Sequence, residues 1–167
     1  MPFPRSQLNI IICSKDPDWQ PTPAAEEEMK ESLNLLGIST QSELDQRSHQ
    51  WVVGGFRRLH MLRHRFPSLV ANHQGGYRVF CSHCQVVVTG LFVRAIQSYR
   101  SGGDRSLQCA KCGTRQDLNS LKFQPHAAFA CYEVQLNDVQ SSDLTKQAYA
   151  FFERHIPEMQ LILKRQG

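Results

Sequence analysis

Cys81-Ser82-His83-Cys84-Gln85 and Cys109-Ala110-Lys111-Cys112-Gly113 are two copies of one pattern, a pair of thiols separated by two residues, with 24 residues between the copies. A Cys-x-x-Cys turn lets two thiolates converge on one point while the backbone between them presents N–H groups to the sulfurs. Two such turns supply four soft donors, the set that Zn²⁺ takes at tetrahedral corners with sulfur near 2.3 Å. The spacing therefore assigns Cys81, Cys84, Cys109 and Cys112 to one structural zinc ion. Four thiolates close the coordination shell and leave no water position, which argues against a catalytic metal. Two pairs without a thioredoxin-like βαβ setting argue against a redox dithiol. Gly113 stands where such a turn often needs a positive φ; Gln85, at the matching place of the first pair, departs from that preference. His83 lies within the first pair, but four well-spaced cysteines leave it no necessary role as a ligand.

With these residues in place, the stretch 77–123 resembles a zinc ribbon. The resemblance implies a small β module organised around a single metal. It does not extend to the rest of the chain. Ribbons of this class serve in transcription factors, ribosomal proteins, nucleic-acid enzymes and protein-binding modules, so the resemblance implies a metal site and does not single out a function.

Working outward, Leu8 to Cys13 is a short β-branched run that predicts a strand. Thr22 as N-cap, Pro23 at the first helical position and Glu26, Glu27 and Glu28 at the positive end predict a helix. Its face is Ala25, Met29, Leu33 and Leu36, and Gly37 stops it. A second helix is expected from Thr40, with Glu43 completing a capping box. Its face is Leu44, Trp51, Val52, Leu59, Leu62 and Phe66, and Pro67 ends it. Leu33 to Val53 also has a weak helix-turn-helix outline, with Gly37 in the turn. Past Tyr77 the pattern turns to strand, with Val86, Val87, Val88, Leu91, Phe92 and Val93 as its apolar residues. Phe129 to Leu136 predicts another strand. Ser141, Ser142 and Asp143 open a helical stripe of Leu144, Ala148, Phe151, Phe152, Met159, Ile162 and Leu163, running through Pro157. Cys13 and Cys131 sit in apolar stretches and are expected in the core. The fold class is α+β. The expected organisation is a strand and helices over 1–72, a zinc-ribbon-like module over 73–124, and a strand and C-terminal helix over 125–167 that pack back on the first part.

The 167 residues carry a net charge of +4, unevenly spread. Residues 1–46 hold three basic and eight acidic side chains; 47–115 hold eleven basic and one acidic; 116–167 hold five basic and six acidic. The positive charge surrounds the cysteine pairs, and local charge of one sign governs partner choice more than the net value. Arg57, Arg58, Arg63 and Arg65, with Arg78, Arg94, Arg100, Arg105, Lys111 and Arg115, are the candidate contacts to phosphate oxygens, which arginine forks match well. Tyr77, Phe80, Phe92 and Tyr99 are candidate stacking surfaces. A solvated face, or pairing with Glu26, Glu27, Glu28 and Glu31, would also account for the arginines. His60 and His64 are four apart and could meet on a helix, but arginines beside them disfavour a second cation. No phosphate-binding glycine loop or nucleophile pattern is present, so no enzyme is expected. The expectation is a zinc protein in a regulatory or accessory role that binds nucleic acid. The alternative is a protein-binding inhibitor, immunity factor or assembly adaptor with an acidic partner. Leu8 to Cys13 is too short for a signal core, and no stretch approaches the roughly 18 apolar residues of a membrane span. A cytoplasmic location, or a nuclear one in a eukaryotic host, is expected.

Overall fold

The computed structural model describes residues 8–38, 51–52, 55–72 and 76–165. In chain order its elements are β1 (Leu8–Ser14), α1 (Pro23–Leu35), β2 (Arg58–Val70), β3 (Arg78–Phe80), α2 (Thr89–Arg100), β4 (Ser106–Gln108), β5 (Arg115–Asp117), a short 3-10 turn (Leu118–Ser120), β6 (Lys122–Gln124), β7 (Ala128–Asn137), α3 (Lys146–His155) and β8 (Met159–Arg165). This is the α+β class expected. The chain divides into two compact units, Met1–Gly75 with Ala128–Gly167, and Gly76–Ala127.

In the first unit a four-stranded sheet runs in the order β2-β7-β1-β8, with every neighbouring pair antiparallel. β1 and β2 both run against β7 and so run parallel to each other, joined across it through α1. In the same way α3 joins β7 to β8 across β1. These are two interleaved split βαβ units, the β-α-β-β-α-β arrangement of ferredoxin-like folds. Both helices supply one core, in which Met29 and Leu33 of α1 and Ala148, Phe151 and Phe152 of α3 join Ile10, Ile12, Leu59, Tyr132, Val134 and Leu136 of the sheet. Ile11, Cys13 and Ile162 are buried on the opposite parity of their strands, in a cluster with Val70, Ala128 and Ala130. α1 begins as its sequence dictates: the Thr22 hydroxyl accepts from the Ala25 N–H, and Pro23 opens the first turn. Thr145 caps α3 in the same way.

Three expectations are corrected. The second helix was to run through Leu59 and Leu62 to Phe66, but Arg58–Val70 is a strand, and 39–50 lies outside the described residues. The helix-turn-helix outline has its second helix in that same segment. Leu59 and Met61 face the core, whereas Leu62 and Phe66 are 38% and 63% exposed. Their i, i+3, i+7 spacing imitates a helical face, and Arg63, which has the parity of the inward residues, hides the alternation. Arg63 is accommodated there because its guanidinium bonds Glu26 (2.5 Å) and Gln20 (2.8 Å) and lies over the Tyr132 ring. Pro67 ends nothing; β2 is an edge strand whose register against β7 shifts between Arg63 and Ser68, and a proline is tolerated at such a place. The second correction is in the C-terminal stripe, which is α3 followed by the strand β8. Pro157 stands in the turn between them, and Glu158 turns with φ 46°. The third is α2, which occupies sequence expected to be strand. No described helix is long and apolar enough to cross a membrane.

Candidate metal centre

The second unit has a small core of Val79, Val88, Phe92, Ile96, Leu107, Leu118, Leu121 and Phe123. α2 reaches it through Phe92 and Ile96, one helical turn apart, and Phe92 meets Phe123 edge-on with ring centroids 5.3 Å apart. This explains why valine-rich sequence becomes helix: from Phe92 onward the buried residues recur every four positions, and the exposed faces hold Arg94, Gln97, Ser98 and Arg100. Phe92 is fully buried and is therefore no stacking surface. Two strand pairs of three residues each, β3 with β6 and β4 with β5, complete the unit.

The two cysteine turns repeat one backbone pattern. The Cys81 N–H donates to the Val86 carbonyl and the Gln85 N–H to the Cys81 carbonyl; the Cys109 N–H donates to Thr114 and the Gly113 N–H to Cys109. Gly113 has φ 73° and Gln85 φ 62°, so both turns need a left-handed residue after the second cysteine. Gln85 meets that need without being glycine, and its amide Nε2 donates to the Ser82 carbonyl 3.1 Å away. A left-handed conformation in a non-glycine residue costs roughly 1–2 kcal/mol.

All four sulfurs lie within 4.8 Å of one another. The Cys81–Cys112 and Cys84–Cys109 Sγ pairs are each 3.7 Å apart. Four sulfurs at about 2.3 Å from a central ion would be about 3.8 Å apart along each tetrahedral edge, so the donor set fits a tetrahedral metal ion. Cys81 and Cys109 are buried, and Cys84 and Cys112 half-buried.

Sequence reasoning missed Gln116. This buried side chain on β5 donates from Nε2 to the Cys81 sulfur at 2.9 Å, while its Oε1 accepts from the Ser82 N–H at 3.0 Å and from the Ser82 hydroxyl. It thus ties the first cysteine turn to the strand that follows the second. Alternation alone could have flagged it: on Arg115-Gln116-Asp117 the inward position is a glutamine between two charges. The Cys84 N–H, then Gln116 and the His83 N–H, stabilise the Cys81 thiolate and lower its pKa to about 6. Thr114, through its hydroxyl first and its N–H second, lowers that of Cys112. Cys84 moves the other way, to about 11: the Val86 N–H favours its thiolate, but burial and bonds to the other three thiols outweigh it. Donors aimed at sulfur are what a thiolate–metal centre requires around its ligands.

The ten candidate binding cations fall in both units, Arg57, Arg58, Arg63 and Arg65 in the first and Arg78, Arg94, Arg100, Arg105, Lys111 and Arg115 in the second. Several are engaged. Arg57 is 3.7 Å from Asp138, Arg63 bonds Glu26, Arg105 grips Asp117 with two nitrogens, and Arg115 bonds Asp104. The suspected neutralisation by the first helix thus operates at Arg63 alone among the described pairs, through Glu26. Arg65 lies over the Phe66 ring, 5.3 Å from its centre. His60 and His64 are carried by a strand, where four residues span about 13 Å, so they do not share a metal; His64 instead bonds Glu133 at 3.0 Å. Cys13 and Cys131 are buried, as their apolar surroundings imply. No protein-family model matches this chain, and no curated protein or solved structure is significantly similar to it.

Proposed function

We propose that this is a non-enzymatic zinc protein whose Gly76–Ala127 unit binds nucleic acid in a regulatory or accessory role. The metal reading rests on four converging thiols, to which no further donor is added among the described residues, a set that suits Zn²⁺ and serves structure. The observation that carries the binding reading is the charge balance of that unit. Its only carboxylates, Asp104 and Asp117, are held by Arg115 and Arg105. Arg78, Arg94, Arg100, Lys111 and Lys122 are left with no acidic partner in the unit. Cations that the fold does not use are available to phosphates, where counterion release rewards them. A cytoplasmic or nuclear setting, reducing enough to keep thiols free for metal, accords with this role.

The test is fluorescence anisotropy of zinc-loaded protein with labelled DNA and RNA across a salt series, beside metal analysis of the purified chain. Binding at micromolar or tighter concentrations, weakening steeply with salt, is expected, with one zinc per chain. A flat salt response, or iron in place of zinc, would count against the corresponding half of the reading.

A second reading, a protein-binding adaptor or inhibitor, is favoured by one feature of the first unit. Phe66 is 63% exposed on an edge strand, under the Arg65 guanidinium, and Leu62 on the same strand is also exposed. Aromatic and arginine side chains dominate interface hot spots. Copurification of one protein that is lost on Phe66→Ala would shift the weight to this reading.

A further inference from the structure

We propose that the outer face of the β3–β6 ribbon is a single-strand-binding platform, with Phe80 stacking on a base and Arg78 and Lys122 on the flanking phosphates. It rests on the nucleic-acid reading above and specifies where and in what form the nucleic acid binds.

The register fixes this face. Val79 pairs with Phe123, and both are buried, so they point into the small core. Strand alternation then puts Arg78, Phe80, Lys122 and Gln124 together on the opposite face. Phe80 is directly across from Lys122 on one side and from Val87 on the other, where an isolated bridge adds a third chain segment. Lys122, Phe80 and Val87 therefore form one row across three segments, with Arg78 and Gln124 in the next. Phe80 is half-buried and Val87 is 56% exposed. Arg78 and Lys122 are exposed, and among the described residues neither is held in an ion pair.

An apolar centre flanked by unpaired cations discriminates between ligands. A duplex presents phosphates to such a face and keeps its base faces stacked, so Phe80 and Val87 would stay uncovered. An unstacked base covers them while its phosphates reach the cations, and this combination of ring and cations is how strand-tracking surfaces bind without reading sequence. Cys81 directly follows Phe80, and the Cys81 N–H bonds the carbonyl of Val86, next to Val87. The metal centre therefore holds two of the three segments of the row.

The experiment uses the full zinc-loaded chain and labelled 15-nucleotide oligo-dT, oligo-U and a mixed-sequence duplex. The expected result is tighter binding of either single strand than of the duplex. Phe80→Ala and Phe80→Leu should each weaken single-strand binding about tenfold or more while leaving zinc content and duplex binding unchanged, and Phe80→Trp should restore it. Arg78→Gln or Lys122→Gln should each reduce the slope of log affinity against log salt by about 0.7. Single-strand binding that survives Phe80→Leu at full strength, or a preference for the duplex, overturns the platform while leaving the nucleic-acid reading standing. No binding of any oligonucleotide at low salt removes both and leaves the face to a protein partner.

Discussion

The two units of this chain solve the same problem, holding a β framework together, by different means. The first has strands of seven to thirteen residues and a core containing Trp51, Phe151, Phe152, Ile10 and Ile12. The second has strands of three residues and about eight buried apolar side chains, too few for a unit of its size to offset the entropy of ordering its chain unaided. Its four clustered cysteines, once bound to a metal ion, would supply the fastening that the core lacks. The second unit is also an insertion: Val70 and Ala128, which bracket it, are paired neighbours on β2 and β7. Because the ends of the insertion are already side by side, the first unit need not rely on what lies between them. The comparison teaches that metal and hydrophobic burial are interchangeable as fasteners but not in their vulnerabilities.

Chelation is the largest expected effect. Removing the ion with a strong chelator should unfold 76–127 while the four-stranded sheet persists. Structural zinc contributes about 10–16 kcal/mol in small domains, far more than the second unit's core can replace. Hydrogen exchange read by mass spectrometry should show peptides from 76–127 losing protection while β1, β7 and α3 keep theirs. Loss of protection throughout the chain would break the comparison, making the units one cooperative body.

The converse probe strikes the apolar fastener. Phe152 is fully buried, with its ring 5.0 Å from Trp51 and 5.4 Å from Phe151, both contacts edge-on. Phe152→Ala should cost about 3–5 kcal/mol by lost burial and an uncollapsed cavity, measured as a lower denaturant midpoint for the first unit. Zinc content should stay at one per chain. A variant that lost its zinc would show that the second unit depends on the first.

Alkaline pH should separate the units again, by a smaller amount. Burial, and then the nearby Glu133 charge, raise the Cys13 thiol to about 12. Burial, then Glu26, also raises the Tyr132 phenol against the opposing pull of Arg63. A raised acid binds its proton more tightly when folded. Its stabilising contribution is therefore complete below the unfolded value near 9 and is lost as pH climbs from there toward 12. Cys13 should subtract about 1.4 kcal/mol per pH unit across that window, and Tyr132 should add to the loss only above its ordinary value of 10.0. Chemical denaturation at pH 8 and pH 10.5 should show the first unit losing stability, and Cys13→Ala should flatten the loss in part. An equal loss in Cys13→Ala would remove Cys13 from the account.

How much of this was legible beforehand follows the same divide. The four-cysteine cluster could be read outright, because two Cys-x-x-Cys turns at this spacing bring four thiols together as a metal ion would need them. Thr22-Pro23 with Met29 and Leu33 gave α1, since cap and stripe agree. β2 was misread because its inward side contains Arg63, whose partner Glu26 is 37 residues away. Leu62 and Phe66, exposed on the strand, supplied a false helical stripe. β8 was merged with α3 because Met159, Ile162 and Leu163 continue a helical period by chance across Pro157. α2 was read as strand because valines at 86–88 lead into it. In each case the deciding contact was tertiary, and local periodicity pointed to a different element.

The smallest effect, and the sharpest test of how the metal unit is built, lies at Gln116. If the thiolates alone fasten this unit, Gln116 is filler. If the surrounding donors matter, its bond to the Cys81 sulfur and its grip on Ser82 orient the first cysteine turn before metal arrives. Loss of a residue that positions a ligand typically costs 10- to 100-fold in metal affinity, so Gln116→Ala should weaken zinc binding by about that factor in a competition with a chromophoric chelator. Gln116→Glu should do worse, because it replaces the donor facing sulfur with an anion beside a thiolate. A merely structural role would lower stability without selecting a ligand. The positioning role also predicts faster alkylation of Cys81 than of Cys109 in the zinc-loaded variant, since only Cys81 loses its bond. Equal rates at both sulfurs with unchanged affinity would reduce Gln116 to packing and leave the four cysteines as the sole fastener.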